Sequence, residues 1–319
     1  MNELAISVTQ PVGKAIERVK QVLFRPFDLG KWFGIGFCAW LAYLGQGGTG
    51  MNFNSFGRKQ VSGVDFRQTL ERARDYTMDN LQWIVPLAIA LVVFGLVLGV
   101  FLTWLHSRGD FMFLHCVAVN RAEVAVSWNE FSREGNSLFW FRLGLGLISM
   151  IAMVPLLILG GLKVFHMAMD QSWSFQGVAT VVGFGLTLFL LAIVFGIIRK
   201  VTTDFVVPIM RLRRMRCLAG WAVARRLFAD HLGQLLLYFL FQIVLGVAIF
   251  VIVLAAVVVT CCLAGCFLAL PYLGTVLLLP VLVFSRAYSL HYLAQYGREF
   301  DVFAPPEPTV AAAPAPPVA

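Results

Sequence analysis

The chain has 319 residues, of which 59% are hydrophobic and only 13% charged, with a mean hydropathy of +0.80. That balance excludes a water-soluble fold and points to an all-α, polytopic membrane protein. The net charge of +8 sits beside apolar stretches, where anionic lipid head groups are the nearest counter-ions; no nucleic-acid-binding module is recognisable, and nucleic acid is not expected as a partner.

In chain order, residues 12–25 place Val12, Ile16, Val19 and Leu23 on one helical face and Lys14, Arg18, Lys20 and Arg25 mostly on the others, an amphipathic helix that ends at Pro26. The charged opening lacks the apolar core of a signal peptide, so the first span is expected to remain as an anchor. That span is placed at about 27–47, although its strictly apolar run is only ~13 residues against the ~20 needed to cross a bilayer. Residues 46–63 are rich in Gly and Asn and read as a loop without a phosphate-cradling pattern; Asp65 to Asn80 reads as a short polar helix. The second span, 82–106, holds no internal charge and carries a Gly95/Gly99 pair suited to close helix approach.

A polar interval follows at 107–137, then spans at 138–165, with Pro155 inside it, and 177–198. Between Arg199 and Gly233 lie eight basic residues: Arg199, Lys200, Arg211, Arg213, Arg214, Arg216, Arg225 and Arg226. Their helical spacing predicts a segment lying on the lipid surface. From Leu232 to Leu293 the only charged residue is Arg286, which leaves room for spans at 234–263 and 271–293 with a turn near Gly265 to Pro271. The Pro- and Ala-rich tail, 304–319, reads as disordered.

Six spans with three cytoplasmic amphipathic helices are therefore expected in one membrane domain, 1–303. Counted by interval, with Lys31 assigned to the N-terminal segment, 17 Lys and Arg residues fall on one side and 6 on the other. The positive-inside rule then makes both termini cytoplasmic. A threefold repeat is faintly visible: Asp110-Phe111 with Trp128 echoes Asp204-Phe205 with Trp221, and Leu29-Gly30 echoes Leu232-Gly233.

Charges inside apolar spans are costly and direct attention to function. Arg142 and Arg286 lie about 8 and 15 Å inside their spans at ~1.5 Å per residue, and Gln242 reaches a similar depth. Together they form candidate ligands for a phosphate or carboxylate head group; the plainer reading is pairing with Asp110, Asp204 or Glu134. Arg211, Arg213, Arg214, Arg216, Arg225 and Arg226 are candidates for contact with lipid phosphate. The six cysteines lack disulfide-framework spacing, and the Cys262/Cys266 pair has too few companions for zinc. His166, Met167, Met169 and Asp170 offer soft-metal donors that read better as packing. No cofactor or metal is expected, and no HExxH, GxSxG or paired-carboxylate arrangement supports catalysis.

Trp104, Arg108, Gly109, Phe111, Met112, Phe113 and Leu114, followed by Asn120-Arg121, Trp128, Asn136, Ser137 and Arg142, resemble a pattern in a family of uncharacterised bacterial multi-pass membrane proteins. The PFDLGKWF stretch extends the likeness. More distantly, DFVVPIM followed by a basic helix is similar to the membrane domain attached to some glycerophosphoryl diester phosphodiesterases, whose soluble catalytic domain has no counterpart here. The resemblance implies a bacterial inner-membrane protein of unassigned activity. The functional expectation is a non-enzymatic membrane module engaging anionic phospholipid or a partner protein; the alternatives are a small transporter or channel, and an intramembrane lipid-modifying enzyme.

Overall fold

The computed structural model describes residues 6–44, 78–169, 174–229, 231–260, 265, 268 and 270–304. These are helical, with no strand among them. The helices are α1 (Gln10–Val19), α2 (Leu29–Tyr43), α3 (Leu81–Val119), α4 (Val124–Glu130), α5 (Ser132–Met169), α6 (Phe175–Val201), α7 (Val207–Arg213), α8 (Cys217–Ala229), α9 (Leu232–Val259), α10 (Pro271–Leu277) and α11 (Leu279–Leu293). A π-helical turn, Thr202–Val206, joins α6 to α7 without a break.

Among the described residues four helices are long and apolar enough to cross a membrane: Leu81–Val119, Ser132–Met167, Phe175–Arg213 and Leu232–Val259. This corrects the expectation of six. Among the described residues of the stretch expected to span at 27–47, the helix is the 15-residue α2, which starts where Asp28 accepts a hydrogen bond from the Gly30 amide at 2.8 Å. The 271–293 stretch is divided at Leu278 into α10 and α11, because Pro280 opens a new helix there. At ~1.5 Å per residue neither α2 nor α11 reaches ~30 Å. Pro155, by contrast, lies within a continuous α5. The 46–63 loop, the Asp65 to Asn80 helix apart from its last three residues, Cys262, Cys266 and the tail beyond Ala304 lie outside the described residues.

The core does not lie among the apolar stretches. The most hydrophobic windows of the four long helices are unburied, with Leu91 61% and Phe94 65% exposed. Burial instead concentrates at one end, around Phe111, Phe113, Phe205, Met210, Tyr238, Tyr288 and Tyr292. There the apolar side chains gain by collapsing on one another away from water.

Three similar units meet in this core. In the first, α3 runs into the core, α4 crosses it and α5 leaves; in the second, α6, the π turn and α7 run in, α8 crosses and α9 leaves. The third is assembled from distant parts of the chain: α11 runs in, α1 packs along it, and α2 follows. The junction is fastened by Ser7, whose amide donates to Gln295 Oε1 at 2.8 Å while Gln295 Nε2 donates to the Ser7 carbonyl at 3.0 Å, and by Tyr288, whose hydroxyl donates to the Val8 carbonyl at 3.0 Å. The repeat expected from sequence is thus grouped differently, as helix, short amphipathic helix, helix.

Candidate functional site

The site is built on the π turn. There the Val207 amide bonds back five residues to the Thr202 carbonyl, so it does not serve Thr203, four residues back. The next amide that the wide turn would supply belongs to residue 208, which is proline and has none. The Thr203 carbonyl is thereby free for a side chain, and Arg286 Nη1 donates to it at 2.7 Å. The Thr203 hydroxyl, on the same residue, accepts from Arg142 Nη2 at 3.2 Å. One threonine therefore joins the two arginines singled out in the sequence, from α5 and α11.

Arg142 is bonded through both terminal nitrogens. Its Nη2 pairs with Asp110 on α3 and its Nη1 donates to Ser107 Oγ at 3.5 Å, which is the pairing reading of this residue. The second unit repeats the theme with other chemistry. Asp204 Oδ2 accepts from the Tyr238 hydroxyl at 2.9 Å and faces Lys200 Nζ at 2.9 Å, and Gln242 Nε2 donates to the Tyr238 hydroxyl at 2.8 Å. Gln242 thus joins the cluster through Tyr238. Arg286 is 4% exposed, and its Nε and Nη2 are buried without a hydrogen-bond partner among the described residues.

The resemblance motif forms a clamp one layer away. The Arg108 guanidinium lies 4.8 Å from the ring centres of both Trp104 and Trp128, and Asn136 Oδ1 accepts from Trp104 Nε1 at 3.3 Å and Arg108 Nη2 at 3.4 Å. Gly109 faces α2, Phe111 stacks on Phe131 at 5.9 Å, and Phe113 meets Tyr43 edge-on at 6.2 Å. Ser137 Oγ accepts the Cys217 amide at 3.0 Å, tying α8 to α5. These residues hold helices together. Burial pushes the Cys217 thiol up to about 12, so it stays protonated and unreactive at neutral pH.

The collar arginines divide into two groups. Arg211 and Arg214 lie over the Phe131 ring, Arg214 also pairs with Glu130, and Arg213 donates to Glu299 at 2.6 Å while lying over Phe300. These three make contacts within the protein, although Arg213 and Arg214 also remain exposed. Arg216, Arg225 and Arg226 are exposed. Arg18, expected only as surface charge, fastens α1 to the end of α3 by donating to the Val117 carbonyl at 2.8 Å and the Ala118 carbonyl at 2.6 Å. Burial there lowers its pKa from the ordinary arginine value.

Cys38 on α2 and Cys116 on α3 lie sulfur to sulfur at 3.6 Å, both buried. Mild oxidation of the folded protein in detergent is expected to cross-link this pair before Cys217, giving a 38–116 linked peptide in a non-reducing digest; a linkage involving Cys217 in its place would contradict the packing of α2 on α3. Among the described residues no group of three or more His, Cys, Asp or Glu is placed to hold a metal.

Sequence reasoning overlooked Thr203. Its signal was Pro208, five positions on, in the very DFVVPIM stretch singled out for its likeness. No curated protein and no solved structure matches the chain. Residues 6–279 match a family of unknown function, DUF7544, and with that share of its length matched the chain belongs to this family.

Proposed function

We propose that this protein is a non-enzymatic integral membrane module that engages anionic phospholipid. The observation that carries this reading is the exposure of Arg216, Arg225 and Arg226 on and beside α8, at the end of the molecule where the long apolar helices meet the core. Among the described residues four helices of membrane-crossing length extend from that end, which supports a position of these cations near lipid phosphates. The bias of Lys and Arg supports a cytoplasmic location for this face, and the likeness to bacterial multi-pass proteins supports a bacterial inner membrane. The distant likeness to a phosphodiesterase membrane domain supports a membrane role without the catalytic activity.

The test is native mass spectrometry of the protein released from mixed phosphatidylglycerol and phosphatidylcholine. Each exposed basic residue near an anionic surface contributes about 1 kcal/mol, so replacing Arg216, Arg225 and Arg226 with alanine is expected to lower the preference for phosphatidylglycerol on the order of tenfold or more at low salt. An unchanged preference would refute the reading. A second reading, a small transporter, is favoured by the buried charges of Asp110, Asp204 and Arg286 and the partly buried Arg142 at the foot of the apolar helices; solute-dependent stabilisation without lipid preference would support it instead.

A further inference from the structure

The three units place a charged residue at the same point of burial. Asp110, Asp204 and Arg286 each follow a buried residue three positions earlier, Ser107, Val201 and Val283, and each precedes a buried run, 111–114, 205–208 and 287–290. Asp110 finds its partner on the outgoing helix α5, at Arg142, and Asp204 finds Tyr238 on α9. Tyr238 lies five positions after the glycine of Leu232-Gly233. The residue five positions after the glycine of Leu29-Gly30 is Ile35, fully buried and incapable of a hydrogen bond. The third unit therefore has a buried charge but lacks the polar partner that the other two supply.

The free part of Arg286 has a specific shape. Nη1 is bound to the Thr203 carbonyl, leaving Nε and Nη2. Those two nitrogens form the side-on edge of the guanidinium, whose parallel N–H groups match the two oxygens of a carboxylate or phosphate. The buried carboxylates of the other two units do not bond it: Asp110 Oδ2 pairs with Arg142, and Asp204 Oδ2 with Lys200 and Tyr238. A buried, unpaired guanidinium edge is costly. The π turn that presents Thr203 is of a kind often found at functional sites.

We propose that the Nε/Nη2 edge of Arg286 is a binding site for one oxyanion, a phosphate or carboxylate group that completes the third unit as Arg142 and Tyr238 complete the first two. The group is either a free anion or the head group of a single phospholipid. The site is separate from the exposed arginines of α8, and only its lipid form rests on the reading of the chain as a lipid-engaging module.

The experiment is thermal melting of the full chain in detergent during titration with inorganic phosphate or acetate, with chloride holding ionic strength constant, alongside native mass spectrometry of retained lipid. For a free anion, phosphate or acetate raises the melting temperature of the wild type saturably, by roughly 5 °C at hundredfold excess over the dissociation constant. Arg286→Lys, which keeps the charge and loses the fork, abolishes the rise. For a lipid head group, the titration has no effect because one anionic phospholipid copurifies; that lipid is lost from Arg286→Lys and kept when Arg216, Arg225 and Arg226 are all replaced. A wild type that shows neither saturable stabilisation nor a retained lipid overturns the proposal, and this result needs no variant to fold. Loss of the lipid in the triple variant alone would likewise overturn it, while leaving the surface reading intact.

Discussion

Replacing Arg142 with alanine is expected to destabilise the protein more than any other single truncation in the core. The change leaves Asp110, 3% exposed, without the guanidinium that balances it, and also removes the donor to the Thr203 hydroxyl. Breaking one side of a buried ion pair costs about 3–5 kcal/mol, which lowers the melting temperature of a domain this size by roughly 10 °C. The companion change Asp110→Asn, made in the Arg142→Ala background, should recover part of that loss because the uncompensated charge disappears with it. Melting curves of the two variants in one detergent decide the matter. An Arg142→Ala protein that melts with the wild type would show that the pair does not form.

The second large effect is steric. A Cβ built on Gly109 would lie 2.5 Å from the Leu41 carbonyl carbon and 2.6 Å from the Ala42 amide nitrogen. Both are backbone atoms, so no side-chain rotation relieves the clash and α2 must move away from α3. Overpacking typically costs about 1–3 kcal/mol, and more where the backbone has to shift. Gly109→Ala is expected at the upper end of that range, and Gly109→Val should release α2. In the released state Cys38 moves away from Cys116, so the expected readout is a coupled loss: a lower melting temperature and failure of the 38–116 cross-link. A Gly109→Val protein that still cross-links as readily as the wild type would show that the helices are not in this contact.

Much of the architecture was readable from periodicity and charge. The spans at 82–106, 138–165, 177–198 and 234–263 correspond to α3, α5, α6 and α9, because long uncharged runs admit few alternatives. The two mistaken spans have a common origin. In α2 and α11 many of the apolar residues, such as Ile35, Ala39, Leu41, Val283, Ala287 and Leu290, are buried in protein, and hydropathy alone does not separate protein interior from lipid. Length did, in the ~13-residue run of α2, and Pro280 did so for α11. Arg142 and Arg286 were legible as anomalies of position. Their meeting point was not, since a released main-chain carbonyl has no side-chain signature. The division of the collar arginines was equally hidden, because Arg214 differs from Arg216 only in the presence of Glu130 and Phe131 from a segment far away in sequence.

The packing of α1 along α11 has a consequence for how the molecule is made. A chain synthesised from its beginning presents α1 and α2 long before residues 279–293 exist, so the first two units can close while the third holds an exposed apolar face and the Ser7 and Val8 backbone groups unmatched. Closure must wait for the last helix. An interrupted or truncated chain would then carry its defect near its beginning, at α1, where the amphipathic face that should lie on α11 remains open to proteases and chaperones. Quality control at one end of the sequence thus reports on completion at the other.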